Sequence, residues 1–328
     1  MHAANQISLA QVREAEQRIG NYVHRTPVLT SASLDRQTGA RLFFKCENFQ
    51  RAGVFKTRGA FNSVFSLSDA EAARGVVTSS SGNQAAALSL AARTRGIPAY
   101  IAMPKLALPS KIAAVRRYGG NIVWVDAKEA VPTSEEYESA AADIRTRTQA
   151  SPVHPYNDPR TIAGQGTCAL EFLEAHPELD LLLAPVGGGG LLAGTALTAK
   201  ALQPAIRTIG CEPEMADDAQ QSFRAGRIVP QLAAKTIADG LRTSLGDLTF
   251  PLIARHVDDI VTVSEDAIVD AMRLAWQMLK IIIEPSGAVP LAAILERRLS
   301  VAGKSVGIIL SGGNADLDNL PWLTPART

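Results

Sequence analysis

The apolar positions of this chain fall into short runs that alternate with helical stretches. In the first half, predicted helices near residues 83–94 and 109–118 separate three apolar runs, at 76–78, 99–102 and 121–125. A second series of predicted strands follows, near residues 180–185, 207–211, 259–263 and 306–310. Strands that alternate with helices are typical of parallel, doubly wound sheets. The pattern therefore predicts an α/β protein with two lobes, each built on a largely parallel twisted sheet flanked by helices.

The N-terminal part predicts one helix and one strand before this regular pattern begins. Ser8-Leu9-Ala10-Gln11 has the form of a capping box, which predicts an amphipathic helix to about Ile19. Arg25-Thr26-Pro27 breaks the helix, and Leu42-Phe43-Phe44-Lys45 is a strand candidate. Between the two strand series, the Pro-rich segment 151–159 predicts a crossing from one lobe to the other. We therefore expect a functional site between the lobes.

The charge balance and the cysteines argue against several classes of protein. The 328 residues include 33 Lys and Arg against 32 Asp and Glu, a net charge of +1, so no broad attraction to nucleic acid or to an anionic membrane is expected. Cys46, Cys168 and Cys211 form no CxxC pair, which argues against a disulfide framework and a cysteine-rich zinc site. The sequence has no signal-peptide pattern and no membrane-spanning run. We expect a cytoplasmic protein.

The segment Phe55-Lys56-Thr57-Arg58-Gly59-Ala60 carries a candidate for covalent chemistry, and we expect it near the end of a strand. Apolar surroundings disfavour the charge of a lysine and free its neutral amine to form a Schiff base with an aldehyde. Pyridoxal phosphate is the obvious aldehyde. Taken alone, a lysine so close to an arginine is more often part of a solvated face. Further motifs downstream favour the chemical interpretation.

Two glycine-containing turns predict anion sites. The apolar run 181–186 leads into Gly187-Gly188-Gly189-Gly190 and a helical stretch, so the turn and the helix N-terminus offer N–H groups to a phosphate. A plain tight turn and a dinucleotide site are the alternatives. Ser80-Ser81-Gly82-Asn83-Gln84 lies between a predicted strand and an alanine-rich helix. It predicts a cradle for a carboxylate or, alternatively, an ordinary helix cap.

Together with Ser311-Gly312-Gly313-Asn314 and Glu284-Pro285-Ser286-Gly287, these segments resemble the fold-type II pyridoxal phosphate family of serine and threonine dehydratases and serine racemases. The resemblance runs from about residue 8 to about residue 320. It implies a large cofactor-binding domain made of residues 1–74 and 153–328, and a small substrate-side domain made of residues 75–152. It also implies a homodimer and a small amino acid as substrate.

The resemblance assigns two groups of residues to the site. The cofactor-binding residues that it implies are Phe55, Lys56, Asn83, Gly187, Gly188, Gly189, Gly190, Leu191, Gly240, Glu284 and Ser311. The substrate-binding residues that it implies are Ser80, Ser81, Gly82, Asn83, Gln84 and Thr243. In the family, the hydroxyl at the position of Ser311 meets the pyridine nitrogen in place of a carboxylate. A hydroxyl makes the ring a weaker electron sink, which favours elimination over transamination.

The reaction that the resemblance implies is the dehydration of a β-hydroxy-α-amino acid to a 2-oxo acid and ammonia, with Lys56 taking the α-proton. Ser81 matches the residue that serves the opposite face of the substrate in racemases, so an amino acid racemase with dehydratase side activity is an alternative. A hydroxyaspartate ammonia-lyase is a second alternative. A non-catalytic ligand-binding protein is the third, and the intact Lys56 argues against it.

The acidic segment 211–218 predicts a site for a hard cation. By resemblance, Glu212, the backbone carbonyl of Ala216 and Asp218 match the metal ligands of serine racemase. Carboxylate and carbonyl oxygens suit Mg²⁺ or Ca²⁺. A solvated acidic loop without a metal is the alternative.

Three positions depart from the family pattern and bear on the substrate. Ala52-Gly53-Val54 replaces Thr-Gly-Ser, Gln84 replaces a histidine, and Pro132 aligns with the arginine that meets a second substrate carboxylate in the racemases. These changes remove polarity or charge, and an unpaired carboxylate is costly to enclose. We therefore expect threonine, serine or phenylserine to be preferred over hydroxyaspartate, unless Arg58 or Arg242 supplies the missing charge.

Overall fold

The computed structural model describes residues 7–80, 82–105, 107–125, 134–231 and 234–323, which form two β-sheets flanked by helices. The strands are β1 (Val28–Thr30), β2 (Arg41–Cys46), β3 (Val76–Ser79), β4 (Ala99–Pro104), β5 (Asn121–Val125), β6 (Ser151–Pro152), β7 (Leu181–Pro185), β8 (Arg207–Pro213), β9 (Asp259–Val263) and β10 (Ser305–Leu310). The helices are α1 (Leu9–Ile19), α2 (Ala32–Thr38), α3 (Lys56–Phe65), α4 (Asp69–Ala73), α5 (Asn83–Arg95), α6 (Pro109–Arg117), α7 (Ser134–Thr148), α8 (Pro159–Ala175), α9 (Gly190–Leu202), α10 (Asp218–Ala225), α11 (Thr249–His256), α12 (Glu265–Leu279) and α13 (Pro285–Leu295).

The larger sheet has the strand order β1-β2-β10-β7-β8-β9, and the smaller one has the order β5-β4-β3-β6. All neighbouring strands are parallel except β1, which pairs antiparallel with β2 at the edge of the larger sheet. The prediction of an α/β fold with two largely parallel sheets is confirmed. The division of the chain into two domains at residues 75 and 152 stays a prediction.

The larger sheet is covered by helices on both faces, which explains why β7 and β10 are buried along their whole length and consist almost entirely of apolar residues. Side chains alternate across β7. Leu181 and Leu183 pack into the core on the side of α12 and α13, whereas Leu182 and Ala184 pack into the core on the side of α8 and α9. The loops that follow the carboxyl ends of β7 and β10 contain candidate site residues, namely Gly187–Gly190 and Ser311.

No helix within the described part of the chain is long and apolar enough to cross a membrane.

The strands and helices that the hydrophobic pattern predicts are confirmed within one or two residues. The N-terminal helix is α1, and the backbone N–H of Ser8 donates a hydrogen bond to Gln11 Oε1 at 2.9 Å. The pattern misses β1 and β6 because each has only two or three residues. β6 begins the Pro-rich crossing and pairs with β3, so this crossing starts as the edge strand of the smaller sheet.

A buried cluster of four charged side chains holds the start of α3 against the rest of the large sheet. Arg58 is fully buried and donates from Nε to Glu47 Oε2 and from Nη1 to Glu171 Oε1, both at 2.7 Å. Lys45 on β2 donates to Glu171 Oε2 at 2.7 Å and to the Thr26 carbonyl at 2.9 Å. Each of the four charged side chains therefore has at least one oppositely charged partner. This cluster fastens α3 to α8 and β2 close to Lys56.

We expect Arg58→Met to lower the free energy of unfolding by about 3–5 kcal/mol, because it leaves two carboxylates buried without their cation. Chemical denaturation monitored by circular dichroism measures this change. Arg298→Met is the matched control, since Arg298 makes only exposed ion pairs, with Glu214 and Glu296, and such pairs contribute little. A comparable, small change in both variants would contradict a stabilising role for the buried cluster.

Candidate active site

Lys56 begins a helix and does not lie at the end of a strand, so that sequence-based expectation is wrong. Between β2 and α3 the chain makes two short 3₁₀ turns, Glu47–Phe49 and Arg51–Gly53. Ala52 and Gly53 have φ angles of +56° and +71°, in the left-handed region. A reversal of this kind is not visible in a hydrophobic pattern, because it depends on backbone angles and not on side-chain periodicity.

The residues just before Lys56 are paired with the end of β10. The N–H of Phe55 donates to the carbonyl oxygen of Ser311 at 3.0 Å, and Val54 forms an isolated antiparallel bridge with Gly312. Ser311 is only 2% exposed. This pairing brings together two motifs that are more than 250 residues apart in the sequence.

The amine of Lys56 lies among aromatic rings and a backbone carbonyl. Nζ donates to the carbonyl oxygen of Pro155 at 2.6 Å and lies 5.2 Å from the ring centre of Phe55 and 5.9 Å from that of Tyr156. Burial lowers the pKa of Lys56 to about 8, against the opposing attraction of Glu284. A substantial fraction of this amine is therefore neutral near physiological pH, as a nucleophile or base requires.

Asn83, Glu284 and Asn314 form a polar chain beside Lys56. Asn83 Nδ2 donates to both oxygens of Glu284, at 3.0 and 2.9 Å, and Asn314 Nδ2 donates to Asn83 Oδ1 at 2.8 Å. Glu284 is 4% exposed, and burial raises its pKa to about 7. Asn83 begins α5 at the smaller sheet and Glu284 precedes α13 at the larger one. The chain of hydrogen bonds thus joins the two halves of the site.

The predicted strand, glycine turn and helix are confirmed: β7 runs into Gly187–Gly190, and α9 begins at Gly190. Gly189 has a φ of +87°, and Thr249 Oγ1 donates to the carbonyl of Gly188 at 2.8 Å. The first N–H groups of α9, including that of the buried Leu191, lack intrahelical acceptors and can bind an anion. A Cβ atom on Gly188 would overlap the ring of Tyr156, so only glycine fits there.

Gly240 packs against the same glycine turn. Its carbonyl oxygen lies 3.2 Å from the position of a Cβ atom on Gly187, and its N–H donates to Ser286 Oγ at 3.0 Å. The loop 80–84 closes the other side, between β3 and α5. Ser80 Oγ accepts a hydrogen bond from the N–H of Gly82 at 3.1 Å. Ser81 and Pro132 lie outside the described residues, and Thr243 is exposed on the surface.

Gln84 carries a buried amide with unmet hydrogen-bonding capacity. It is 2% exposed, and neither Oε1 nor Nε2 has a hydrogen-bond partner among the described residues. Buried polar side chains are normally paired. An unpaired amide next to the loop 80–83 is what a site for a polar ligand would leave in the absence of that ligand.

The acidic segment forms a separate site at the end of β8. Glu212 accepts from the N–H groups of Ala219 and Gln220 at 2.9 and 3.0 Å, and burial raises its pKa well above the usual range. Asp218 is 2% exposed, burial raises its pKa to about 7, and its Oδ2 has no partner in the described chain. Ala216 is buried in the turn between them. Within the described ranges, no group of three His, Cys, Asp or Glu could hold a metal, so the expected set has only two carboxylates and a carbonyl.

Arg58 cannot supply a charge to a substrate, because its guanidinium is fully buried between Glu47 and Glu171. Arg242 is exposed, and its Nε donates to the carbonyl of Thr236 at 3.0 Å. No role was expected for Pro155 or Tyr156, and Asn314 was expected only as a member of the motif that begins at Ser311. Pro155 and Tyr156 lie in the Pro-rich crossing, and an aromatic residue in a crossing between two lobes was the available signal for them.

Comparison with known proteins gives consistent matches along almost the whole chain. A family model described as pyridoxal-phosphate dependent enzyme matches residues 19–312. The β-hydroxyaspartate dehydratase of Paracoccus denitrificans (strain Pd 1222) is 53% identical over 308 residues, which are 94% of this chain and 96% of that protein. The structure of maize serine racemase has a TM-score of 0.92 at 50% identity, covering 97% of this chain and 96% of that one. The structure of serine racemase from Dictyostelium discoideum has a TM-score of 0.90 at 44% identity, covering 95% of this chain and 99% of that one.

A threonine deaminase is also among the similar structures. The T.th. enzyme has a TM-score of 0.88 at 43% identity, covering 94% of this chain and 99% of that one. The matched region contains both sheets, the lysine at the start of α3, and the glycine turn before α9. The similar proteins include dehydratases and racemases with the same fold. The chain therefore belongs to the family of pyridoxal-phosphate dependent enzymes, in the fold-type II group of dehydratases and racemases.

Proposed function

We propose that this enzyme is a lyase that dehydrates a β-hydroxy-α-amino acid to a 2-oxo acid and ammonia. The observation that carries the proposal is the amine of Lys56, which donates to the carbonyl of Pro155 beside the rings of Phe55 and Tyr156 and has a pKa lowered to about 8 by burial, against the opposing charge of Glu284. Two of the similar proteins, β-hydroxyaspartate dehydratase and threonine deaminase, are named for the release of water or ammonia, and they support the same reaction class.

The residues present fit pyridoxal phosphate. The N–H groups of Gly187–Gly190 and Leu191, with Gly240 beside them, would hold the phosphate at the N-terminus of α9. Asn83 and Glu284 would lie along one edge of the ring, and the hydroxyl of Ser311 would meet the ring nitrogen. When bound, the cofactor draws electrons from the substrate Cα and so weakens its bond to hydrogen.

Lys56 provides the acid–base chemistry at the substrate. Its neutral amine accepts the α-proton, while the β-hydroxyl leaves with a proton as water. The enamine released by this elimination tautomerises to an imine, which takes up one water and gives the 2-oxo acid and ammonia. No oxidant or reductant is consumed. The loop residues Ser80, Ser81, Gly82 and Asn83 would bind the substrate α-carboxylate at the N-terminus of α5, with Gln84 and Thr243 as further substrate-binding residues.

Amino acid racemisation is the second candidate function. The similarity to maize serine racemase over 97% of this chain favours it, and a hydroxyl at Ser81 would serve the face of the substrate opposite Lys56.

We also propose that the enzyme is a cytoplasmic homodimer. The resemblance to the family supports the dimer, and the three free, buried cysteines support a reducing location such as the cytoplasm.

We further propose that Glu212, the carbonyl of Ala216 and Asp218 hold Mg²⁺ or Ca²⁺. Asp218 Oδ2 is a buried carboxylate oxygen without a partner in the described chain. Two carboxylates that are buried near each other repel, and a divalent cation removes that repulsion. The cation would stabilise the segment between β8 and α10, away from Lys56.

The proposed reaction predicts that the purified enzyme forms a 2-oxo acid from serine, threonine, phenylserine or 3-hydroxyaspartate. A coupled dehydrogenase assay detects the product, and chiral chromatography of the remaining substrate detects racemisation. Lys56→Ala should lose at least about a hundredfold in kcat/KM, since a positioned base contributes that much or more, whereas Lys235→Ala on the surface should not. Formation of the opposite enantiomer without any 2-oxo acid would refute the lyase assignment in favour of the racemase.

The lowered pKa of Lys56 predicts the pH dependence of cofactor attachment. Only the neutral amine attacks an aldehyde, so the rate at which cofactor-free protein acquires visible absorption on mixing with pyridoxal phosphate should rise with pH and level off above about 8. Glu284→Gln removes the negative charge that raises the pKa of Lys56, and should move the midpoint to lower pH. Glu14→Gln, on the exposed face of α1, should not move it. A midpoint near the ordinary lysine value of about 10.4 would contradict this assignment.

The metal proposal predicts that a chelator lowers the melting temperature and that Mg²⁺ or Ca²⁺ restores it, because a cation bound only by the folded state stabilises that state. Asp218→Asn should abolish the response without destabilising the metal-free protein, since it removes a buried charge. Glu214→Gln, exposed in the same segment, should keep the response. An unchanged cation response in Asp218→Asn would rule out this ligand set.

A further inference from the structure

A lysine on the smaller-sheet side reaches across to the larger sheet at the edge of the site. Lys111 lies in the first turn of α6 and forms an ion pair with Asp239. Asp239 is the first residue of the short 3₁₀ turn Asp239–Leu241. The next residue, Gly240, packs on the glycine turn through Gly187. The side chains of Lys111 and Asp239 are 24% and 36% exposed, so the pair is accessible from solvent.

The same amine faces the loop that is expected to hold the substrate. Lys111 Nζ lies 3.7 Å from the position that a Cβ atom on Gly82 would take. Two residues further on, the buried amide of Gln84 has no partner among the described residues. The loop at Gly82 thus has a cation beside it, and the residue two positions further along carries a buried amide with hydrogen-bonding capacity to spare.

Electrostatic coupling indicates that the ion pair is close to the catalytic groups. Asp239 raises and Lys111 lowers the pKa of the buried Glu284, beyond the larger effect of its burial. Glu284 is the acceptor of Asn83, at the start of the helix that follows this loop. The pair therefore influences the charge of Glu284, and the contact of Lys111 with the position of a Cβ atom on Gly82 places its amine at the loop before α5.

We propose that Lys111 is a specificity-determining residue that binds the second carboxylate of a β-hydroxy dicarboxylic amino acid, releasing Asp239 when it does so. The inference rests on the proposed lyase function. Lys111 is paired with the carboxylate of Asp239. When the second carboxylate of the substrate replaces that of Asp239, Lys111 still has a carboxylate partner. Arg58 is unable to act in this way because it is fully buried, and by the family resemblance Pro132 matches the arginine that the racemases use for a second carboxylate. This proposal predicts a preference opposite to the one expected from the sequence, in which threonine, serine or phenylserine is preferred over hydroxyaspartate.

The test compares kcat/KM for 3-hydroxyaspartate with kcat/KM for threonine in each variant, because their ratio isolates the second carboxylate. Lys111→Met should lower this ratio by about tenfold or more, the effect of losing one charged hydrogen bond of about 1.4 kcal/mol. Lys111→Arg should retain most of the ratio. Arg116→Met removes one positive charge from the exposed side of the same helix and should leave the ratio within about twofold.

Asp239→Asn separates substrate binding from a purely structural contact between the two sheets. It breaks the same ion pair but keeps the amine of Lys111, so it should not lower the ratio. If Lys111 and Asp239 only hold the two sheets together, Lys111→Met and Asp239→Asn will lower kcat/KM for both substrates alike. That result would overturn the inference and leave the lyase function standing.

A binding experiment tests Lys111 even if the lyase function fails. Malonate serves as the two-carboxylate probe and acetate as the one-carboxylate control, and both are added to the cofactor-loaded protein in a thermal shift assay. Malonate should raise the melting temperature more than acetate in the wild type and in Lys111→Arg, and this difference should disappear in Lys111→Met. Equal stabilisation by malonate in the wild type and in Lys111→Met would overturn the inference, whereas absence of 2-oxo acid from every substrate would overturn only the proposed reaction.

Discussion

The site depends on two basic residues, two positions apart at the start of α3, that have opposite electrostatic surroundings. Burial by itself would lower the pKa of Arg58, but Glu47 and Glu171 outweigh it and keep the guanidinium charged. Lys56 is buried with one weaker opposing charge, that of Glu284, and its pKa falls to about 8. The buried ion cluster fixes the helix in place, and this allows the neighbouring lysine to be held in surroundings that disfavour its own charge. The first turn of α3 therefore carries both a charged arginine that holds the helix in place and a lysine whose amine is partly neutral.

The polar groups of the site are shared between the two sheets. Asn83 comes from the smaller sheet and donates to Glu284 at the larger one, and Asn314 supports Asn83 from the end of β10. The carboxylate of Glu284 has a raised pKa of about 7, so its charge near neutral pH is sensitive to what lies beside it. Any change in the distance between the sheets must therefore alter both the hydrogen bonds of Asn83 and the field at Lys56. A ligand that moved the two sheets relative to each other would therefore also change the protonation state of Lys56.

The sequence predicts the regular part of this structure well, because buried parallel strands are apolar along their length and glycine turns precede helices. β7, the turn at Gly187 and α9 follow from such local signals. The start of α3 does not, since Gly53 and Val54 just before it pair with Gly313 and Gly312, far along the chain. The partners of Lys56 are likewise non-local: Pro155 and Tyr156 are about a hundred residues away. The motifs identify the residues of the site, but they do not say which side chains lie opposite one another.

Sequence motifs also do not show which charged side chains lie near the substrate. The sequence-based expectation that this chain lacks a cation on the substrate side depends on the resemblance, which matches Pro132 with an arginine of the racemases. A carboxylate, however, responds to the position of a positive charge in space and not to the segment that carries it. Lys111 brings an amine to the loop at Gly82 from a helix that the motifs do not include. Substrate preference should therefore be inferred from the positions of the charges around the site, and a cation that is fully buried in ion pairs, such as Arg58, should be set aside first.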